Sequence, residues 1–145
     1  MDNSAKVTLS EGEMRAFLLE TDDQLILLLP LIEKYTKESK VPLSQNLVEV
    51  SNCLLGRGYL ASIYGSKSCF KSYACGYFIS ELSFMVTQYY SSNPLVSYQS
   101  LKFLEEQAKT RGAKEIFTHV SHSPEGFKMY GYEVSHYLLI KKLEV

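Results

Sequence analysis

The stretch "SSNPLVSYQSL", residues 91–101, follows the strand-like run "ELSFMV" and begins the best-defined helix that the sequence predicts. Asn93 is a good N-cap, and Pro94 suits the first helical position because an N–H there would lack a partner anyway. Gly112 is a fitting end for this helix. A strand, a turn and a helix start often hold a phosphate group, but such junctions are usually rich in glycine, and this one has none. Helical spacing defines one face, apolar except for one glutamate, that consists of Tyr98, Leu101, Leu104, Glu105 and Ala108.

Length and composition predict one ordinary globular domain. The 145 residues are 46% hydrophobic and 21% charged. We expect a single domain over residues 1–145, with residues 1–12 as a disordered or extended N-terminal segment. The formal net charge of -1 leaves no basic excess, so general nucleic-acid binding is disfavoured.

The cysteines and the apolar runs predict a reduced, cytoplasmic setting away from membranes. Cys53, Cys69 and Cys75 are odd in number and form no C-x-x-C pair. The longest apolar run, residues 25–32, is interrupted by Pro30 and is far shorter than the roughly 20 residues that cross a bilayer. The N-terminus lacks the pattern of a secretory signal.

Hydrophobic periodicity predicts the element order β-α-α-β-β-β-α-β-α-β, an α/β domain with a mixed sheet. The first helix is predicted to begin with Asp22 or Asp23 as its cap, and the second with Ser44. Residues 69–86 are predicted to hold two strands, near 69–73 and 77–86. The final strand is predicted in "HYLLIKKL", residues 136–143.

Several of these segments together resemble the GNAT acyltransferase superfamily. They are "ELSFMV", the helix "LKFLEEQAKTRGAKEI" and the end "FKMYGYEVSHYLLIKKL". "TDDQLILLLPLIEKY" resembles that family's opening passage, "ACGYF" its glycine-bearing third strand, and "KESKVPLS" is similar to small GNAT-like bacteriophage proteins. The resemblance extends from Glu13 onward. It implies a mixed, mostly antiparallel sheet of about six strands with helices on both faces.

The resemblance implies transfer of an acetyl group from acetyl-CoA to an amine, without a metal. A strand bulge would offer backbone amides to the thioester, and Met85 and Val86 are predicted as cofactor-binding residues. The family's pyrophosphate loop, Arg/Gln-x-x-Gly-x-Gly/Ala, matches Asn93, Val96 and Tyr98, so bulky side chains fill both glycine positions. Once Pro94 and the cap are discounted, the donors left for a pyrophosphate are the backbone N–H groups of Leu95, Val96 and Ser97, with the Ser97 hydroxyl as an extra. The alternative is a well-capped structural helix.

The resemblance also indicates candidate catalytic residues. Glu81, predicted at the start of the fourth strand, matches a position where many members carry a catalytic carboxylate; the alternative is a solvated strand-end glutamate. The tyrosine that acts as general acid in the family matches Phe127, which cannot donate a proton. Tyr130 nearby could substitute for it. The alternative is that both aromatic residues only pack. His119 and His122 have H-x-x-H spacing but no third ligand, so no metal site is predicted.

Two functions remain open on the sequence alone. The first is an acetyl-CoA-dependent N-acyltransferase with an atypical, glycine-free loop. The second is a catalytically inactive GNAT-fold binding or structural protein, a pseudoenzyme that could be bacteriophage-encoded and virion-associated. The eleven tyrosines favour protein contacts, because tyrosine is enriched at interfaces. Neither the amine acceptor nor a protein partner can be named, and a homodimer could form through the edge of the final strand.

Overall fold

The computed structural model describes residues 13–119, 125–135, 139 and 141–143. The predicted N-terminal segment, His122, His136 and most of the predicted final strand lie outside these residues, and so does the strand edge on which the dimer was predicted. The elements in chain order are β1 (Arg15–Leu18), α1 (Asp22–Ser39), α2 (Leu43–Asn52), β2 (Tyr59–Gly65), β3 (Phe70–Phe78), β4 (Ser83–Ser91), a 3-10 turn (Pro94–Val96), α3 (Gln99–Thr110), β5 (Glu115–Thr118) and α4 (Glu125–Lys128).

The described strands form one sheet in the order β1-β2-β3-β4-β5. The first three pairings are antiparallel and the last, between β4 and β5, is parallel. The predicted α/β class, the mostly antiparallel sheet and the predicted element order up to α4 are confirmed. The described part has five strands, where about six are predicted for the whole chain.

Helices cover both faces of the sheet, each over its own apolar cluster. On one face α1 and α2 bury Leu28, Ile32 and Val50 against the strands. On the other face α3 buries Leu101 and Leu104. These five side chains are 0% exposed. Burial of this kind contributes roughly 1.5–3 kcal/mol for each large apolar side chain, so packing, more than helix propensity, holds the helices in place.

The caps of the first two helices differ from the predictions. Thr21, and not Asp22 or Asp23, caps α1: its hydroxyl accepts from the Gln24 backbone N–H, and the Gln24 side chain accepts from the Thr21 backbone in return. This reciprocal pair satisfies two backbone donors, which one aspartate cannot do. The N-cap of α2 is Pro42 rather than Ser44, and no side chain caps that helix.

The central hairpin also differs from the prediction. Residues 70–78 form one continuous strand, and the turn lies at residues 79–82. Gly76, which falls between the two predicted strands, lies inside β3. A Cβ there would lie 2.2 Å from the Met85 carbonyl oxygen, so this position requires glycine for close backbone approach and not for a turn.

Candidate active site

A β-bulge interrupts β4 at Thr87. Cys75 pairs with Gln88 and Gly76 pairs with Val86, which leaves Thr87 as the extra residue. The parallel ladder between β4 and β5 reaches its last described rung at Val86, yet β4 continues to Ser91. Beyond the bulge, β4 therefore has no described partner on the β5 side. Met85 and Val86, predicted as cofactor-binding residues, both lie in the paired ladder just before the bulge.

The bulge brings two consecutive side chains to one carboxylate on α2. The Thr87 hydroxyl donates to Glu49 Oε1 over 2.8 Å, and the Gln88 side-chain amide donates to the same oxygen over 2.7 Å. Regular β alternation would place these neighbours on opposite faces of the sheet. Among the described residues no group donates to the second oxygen, Oε2. The carboxylate is thus fixed by one oxygen and available through the other.

A buried network holds Gln88 in this position. The Tyr73 hydroxyl donates to Gln88 Oε1 over 2.8 Å, and the Gln88 amide also donates to the Asn46 carbonyl over 3.1 Å. Tyr35 donates to the Thr87 carbonyl over 2.9 Å, which anchors the bulge itself. Burial raises the pKa of Tyr73 well above its ordinary value, so this phenol stays a neutral donor.

A cavity of about 180 Å³ opens beside the bulge. Its wall contains one carboxylate, one imidazole, two side-chain amides and two hydroxyl groups, so it suits a polar ligand better than an apolar one. The lining residues are Tyr35, Val41, Gln45, Asn46, Glu49, Val86, Thr87 and His119.

The loop after β4 uses its own donors internally. The Asn93 side chain accepts from the Leu95 N–H over 2.9 Å, and the Asn93 carbonyl accepts from the Val96 N–H over 3.1 Å. The Ser97 N–H donates to the Pro94 carbonyl over 3.3 Å. The prediction that these three amides are free for a ligand is wrong, because a 3-10 turn consumes them.

The α-helix proper begins later than predicted, at Gln99. Asn93 caps the 3-10 turn and not α3, and Tyr98 is the N-cap of α3 without a side-chain cap bond. Within the described ranges, no group accepts from the backbone N–H groups of residues 98–101. The first turn of a helix leaves such amides unpaired, but Ser100 and Leu101 are fully buried, so only the N–H groups of Tyr98 and Gln99 belong to residues with exposed surface.

The bulky side chain at the second glycine position lies along α3. The Tyr98 hydroxyl donates to Glu105 Oε1 over 2.6 Å, two turns further along the helix. The Tyr130 ring stacks on the Tyr98 ring at 4.0 Å between centroids, with 7° between the planes. The Tyr130 and Ser97 hydroxyl oxygens lie 3.1 Å apart. The structure thus brings together Ser97, Tyr98 and Tyr130 from the predicted site.

Two other predicted residues lie elsewhere. Glu81 is in the β3–β4 turn, before the first residue of β4, and its carbonyl faces Gly112 beyond the end of α3. Ser83 and Ser91 bound a strand of roughly 26 Å, so Glu81 lies far from the helix start. Glu81 thus lies two residues before the strand at whose start it was predicted. Phe127 packs in the core, edge-on to Tyr89 at 5.9 Å between ring centroids.

Sequence reasoning missed Glu49, Thr87 and Gln88. A signal for Glu49 exists, since it interrupts the apolar residues of "NLVEV" in α2. The described part contains no group of three or more His, Cys, Asp or Glu side chains that could hold a metal ion. Among the helices of the described ranges, none combines the length and the apolar character needed to cross a bilayer.

Comparison with solved structures gives the class of fold: this chain has the fold of the GNAT acetyltransferases. The resemblance seen in the sequence is confirmed at this level. No protein-family model matches the sequence, and no curated protein matches it either.

Three similar structures span nearly the whole chain. An aminoglycoside N-acetyltransferase in complex with CoA has a TM-score of 0.70 at 10% identity, over 92% of this chain and 96% of its own. A predicted acetyltransferase with acetyl-CoA from Clostridium acetobutylicum has a TM-score of 0.70 at 15% identity, over 90% and 96%. A ribosomal-protein-alanine N-acetyltransferase from Brucella melitensis biovar Abortus has a TM-score of 0.64 at 17% identity, over 89% and 100%.

Proposed function

We propose that this chain is an N-acetyltransferase that moves an acetyl group from acetyl-CoA to an amine. The observation that carries the proposal is the bulge at Thr87. It places the Glu49 carboxylate, which has one oxygen hydrogen-bonded and the other available, beside the point where the described pairing of β4 with β5 ends. Structures of this fold that contain CoA or acetyl-CoA support the choice of donor. At these low identities they support it by fold alone.

The helix start fits the pyrophosphate of CoA. Of the unpaired N–H groups at residues 98–101, those of Tyr98 and Gln99 belong to residues with exposed surface, and the helix dipole contributes roughly 0.3–1 kcal/mol for a nearby anion. The Tyr98 ring lies along α3 toward Glu105, so its bulk is directed away from this end. The Ser97 hydroxyl adds a polar group at the same place. Met85, Val86, Asn93, Leu95 and Val96, predicted as cofactor contacts, would shape the approach without donating from the three amides that the turn consumes.

Glu49 is the candidate general base. Its Oε1 is held by Thr87 and Gln88, which leaves Oε2 to accept a proton from an incoming ammonium, directly or through one water molecule. When bound, acetyl-CoA supplies the acetyl group activated as a thioester. The neutral amine formed by deprotonation at Glu49 would then form the new C–N bond to that acetyl carbon as the C–S bond breaks, and the extra proton on the new amide nitrogen would pass to solvent.

Tyr130 remains the candidate general acid. Its hydroxyl would give a proton to the departing thiolate, and the Ser97 hydroxyl, 3.1 Å away, can donate to the resulting phenolate. Phe127, at the family's tyrosine position, has no proton to give. The base and the acid thus come from different elements, α2 and the segment after α4.

Calorimetric titration with acetyl-CoA tests the proposal. We expect saturable heat with acetyl-CoA and weaker binding of S-acetylpantetheine, which lacks the pyrophosphate. Turnover is then followed as free thiol released in the presence of a panel of primary amines. No heat at millimolar acetyl-CoA would overturn the proposal. Binding without turnover on any amine would favour the alternative, a catalytically inactive binding protein of this fold.

A further inference from the structure

Glu105 joins two tyrosines from different parts of the chain. Its Oε1 accepts from the Tyr98 hydroxyl and its Oε2 accepts from the Tyr132 hydroxyl, both over 2.6 Å. Hydrogen bonds of this length to an ionised carboxylate are among the strong ones in proteins. Glu105 is also the single charged residue on a face of α3 that otherwise consists of Tyr98, Ser100, Leu101, Leu104 and Ala108. It occupies this face because both of its oxygens are paired.

The bond from Tyr98 decides where that ring lies. Tyr98 is the N-cap of α3, and a tyrosine there can extend either along the helix or across its open end. Glu105, seven residues later, holds the hydroxyl two turns down the helix. The ring then packs flat against Tyr130, with its hydroxyl held at Glu105.

We propose that Glu105 is a positioning residue that keeps the start of α3 open for the pyrophosphate of acetyl-CoA. This inference rests on the proposed function. In this chain a tyrosine stands where the family has glycine or alanine, and Glu105 removes the steric consequence of that change by fixing the ring. Without the carboxylate, the Tyr98 ring is free to turn over the helix start and compete with the phosphates.

Three variants separate this role from simple stabilisation. Glu105→Ala and Tyr98→Phe both release an intact ring, so each should weaken acetyl-CoA binding about tenfold, the effect of one strong hydrogen bond. Tyr98→Ala removes the ring and keeps the backbone N–H. No ring can then cover the helix start, so this variant should bind acetyl-CoA about as tightly as the wild type. A purely structural role predicts the reverse order, with the larger truncation the most harmful.

A double variant and a matched control complete the test. Tyr98→Ala combined with Glu105→Ala should recover the affinity that Glu105→Ala loses, because no ring remains to block the site. Tyr132→Phe breaks the other bond to Glu105 and leaves the Tyr98 bond, so its affinity should stay within about twofold of the wild type. S-acetylpantetheine affinity should be unaffected in all variants. The kcat of Tyr98→Ala should fall, since Tyr130 loses the ring on which it stacks.

The outcomes distinguish the two proposals. If the wild type binds acetyl-CoA, and Glu105→Ala and Tyr98→Phe bind it with the same affinity as the wild type, the positioning role alone is overturned. Weaker binding in Tyr98→Ala than in Tyr98→Phe would overturn it as well. A wild-type protein that binds no acetyl-CoA would overturn the proposed function together with this inference.

Discussion

Replacing Glu49 with glutamine isolates one property of the candidate base. Glutamine has the same shape, and its Oε1 can still accept from the Thr87 hydroxyl and the Gln88 amide. The change converts Oε2, which has no partner among the described residues, into an NH₂ group that cannot accept a proton. Because a general base contributes roughly 10²–10⁴ in rate, we expect kcat to fall by about 100-fold or more.

The same substitution should leave the protein folded. Hydrogen bonds to a charged acceptor contribute roughly 1.5–3 kcal/mol and neutral ones roughly 0.5–1.5, so neutralising the acceptor of two bonds costs about 2–3 kcal/mol. A typical domain has about 5–15 kcal/mol of stability. Urea unfolding of Glu49→Gln should therefore show a lower midpoint and a complete native baseline.

The assay is the steady-state release of CoA thiol at saturating acetyl-CoA, with an amine accepted by the wild type. The Kd for acetyl-CoA should not change, because Glu49 lies beside the bulge and not at the helix start. Glu81→Gln, at the far end of α3, should retain kcat within about twofold. Unchanged turnover in Glu49→Gln, or an equal loss in Glu81→Gln, would refute the assignment.

Three further predictions concern stability. Gly76→Ala should lower the free energy of unfolding in urea by about 1–3 kcal/mol, because the new Cβ would meet the Met85 carbonyl oxygen. Gly126→Ala is the control: a Cβ at Gly126 would have no heavy atom within 4 Å, so this variant should not lower the free energy of unfolding. Tyr73→Phe should cost about 1–3 kcal/mol by leaving the buried Gln88 Oε1 without its phenol donor, and a chemical denaturation midpoint equal to the wild type would contradict this. Burial raises the pKa of Tyr73 above the ordinary 10.0, so the unfolded chain loses this proton first and stability should fall as the pH rises above 10.0. Circular dichroism across that range tests it, and a flat profile would count against it.

The fold was predictable because its main signals are local. The apolar stripes of α1 and α3 repeat at helical spacing, and each stripe packs on its own face of the sheet. The hairpin boundary failed for a physical reason. Residues 79–82, "ISEL", contain neither glycine nor proline, while Gly76 lies within a strand. Glycine marks turns and close backbone contacts alike, and only the partner strand tells which.

The site was less predictable because contacts distant in sequence define it. Glu49 gains its position from Thr87 and Gln88, 38 and 39 residues later. The bulge that pairs those two side chains depends on the register between β3 and β4, and no short pattern in the sequence reveals register. Tyr98 was a different case. The sequence showed that a bulky side chain occupies the family's second glycine position, but it did not reveal that a hydrogen bond to Glu105 sets the direction of the ring.

For this reason, the absence of glycine in the loop after β4 is weak evidence against acetyl-CoA binding. Glycine would allow phosphates to approach the amides of the loop, but here a 3-10 turn already uses the amides of Leu95, Val96 and Ser97. The unpaired donors lie one step later, at the start of α3, where a side chain obstructs the approach only if it crosses the helix end. Tyr98 is the side chain that could do so, and its bond to Glu105 directs it along the helix. Whether an anion can bind at this junction therefore depends on the direction of one ring more than on the number of glycines.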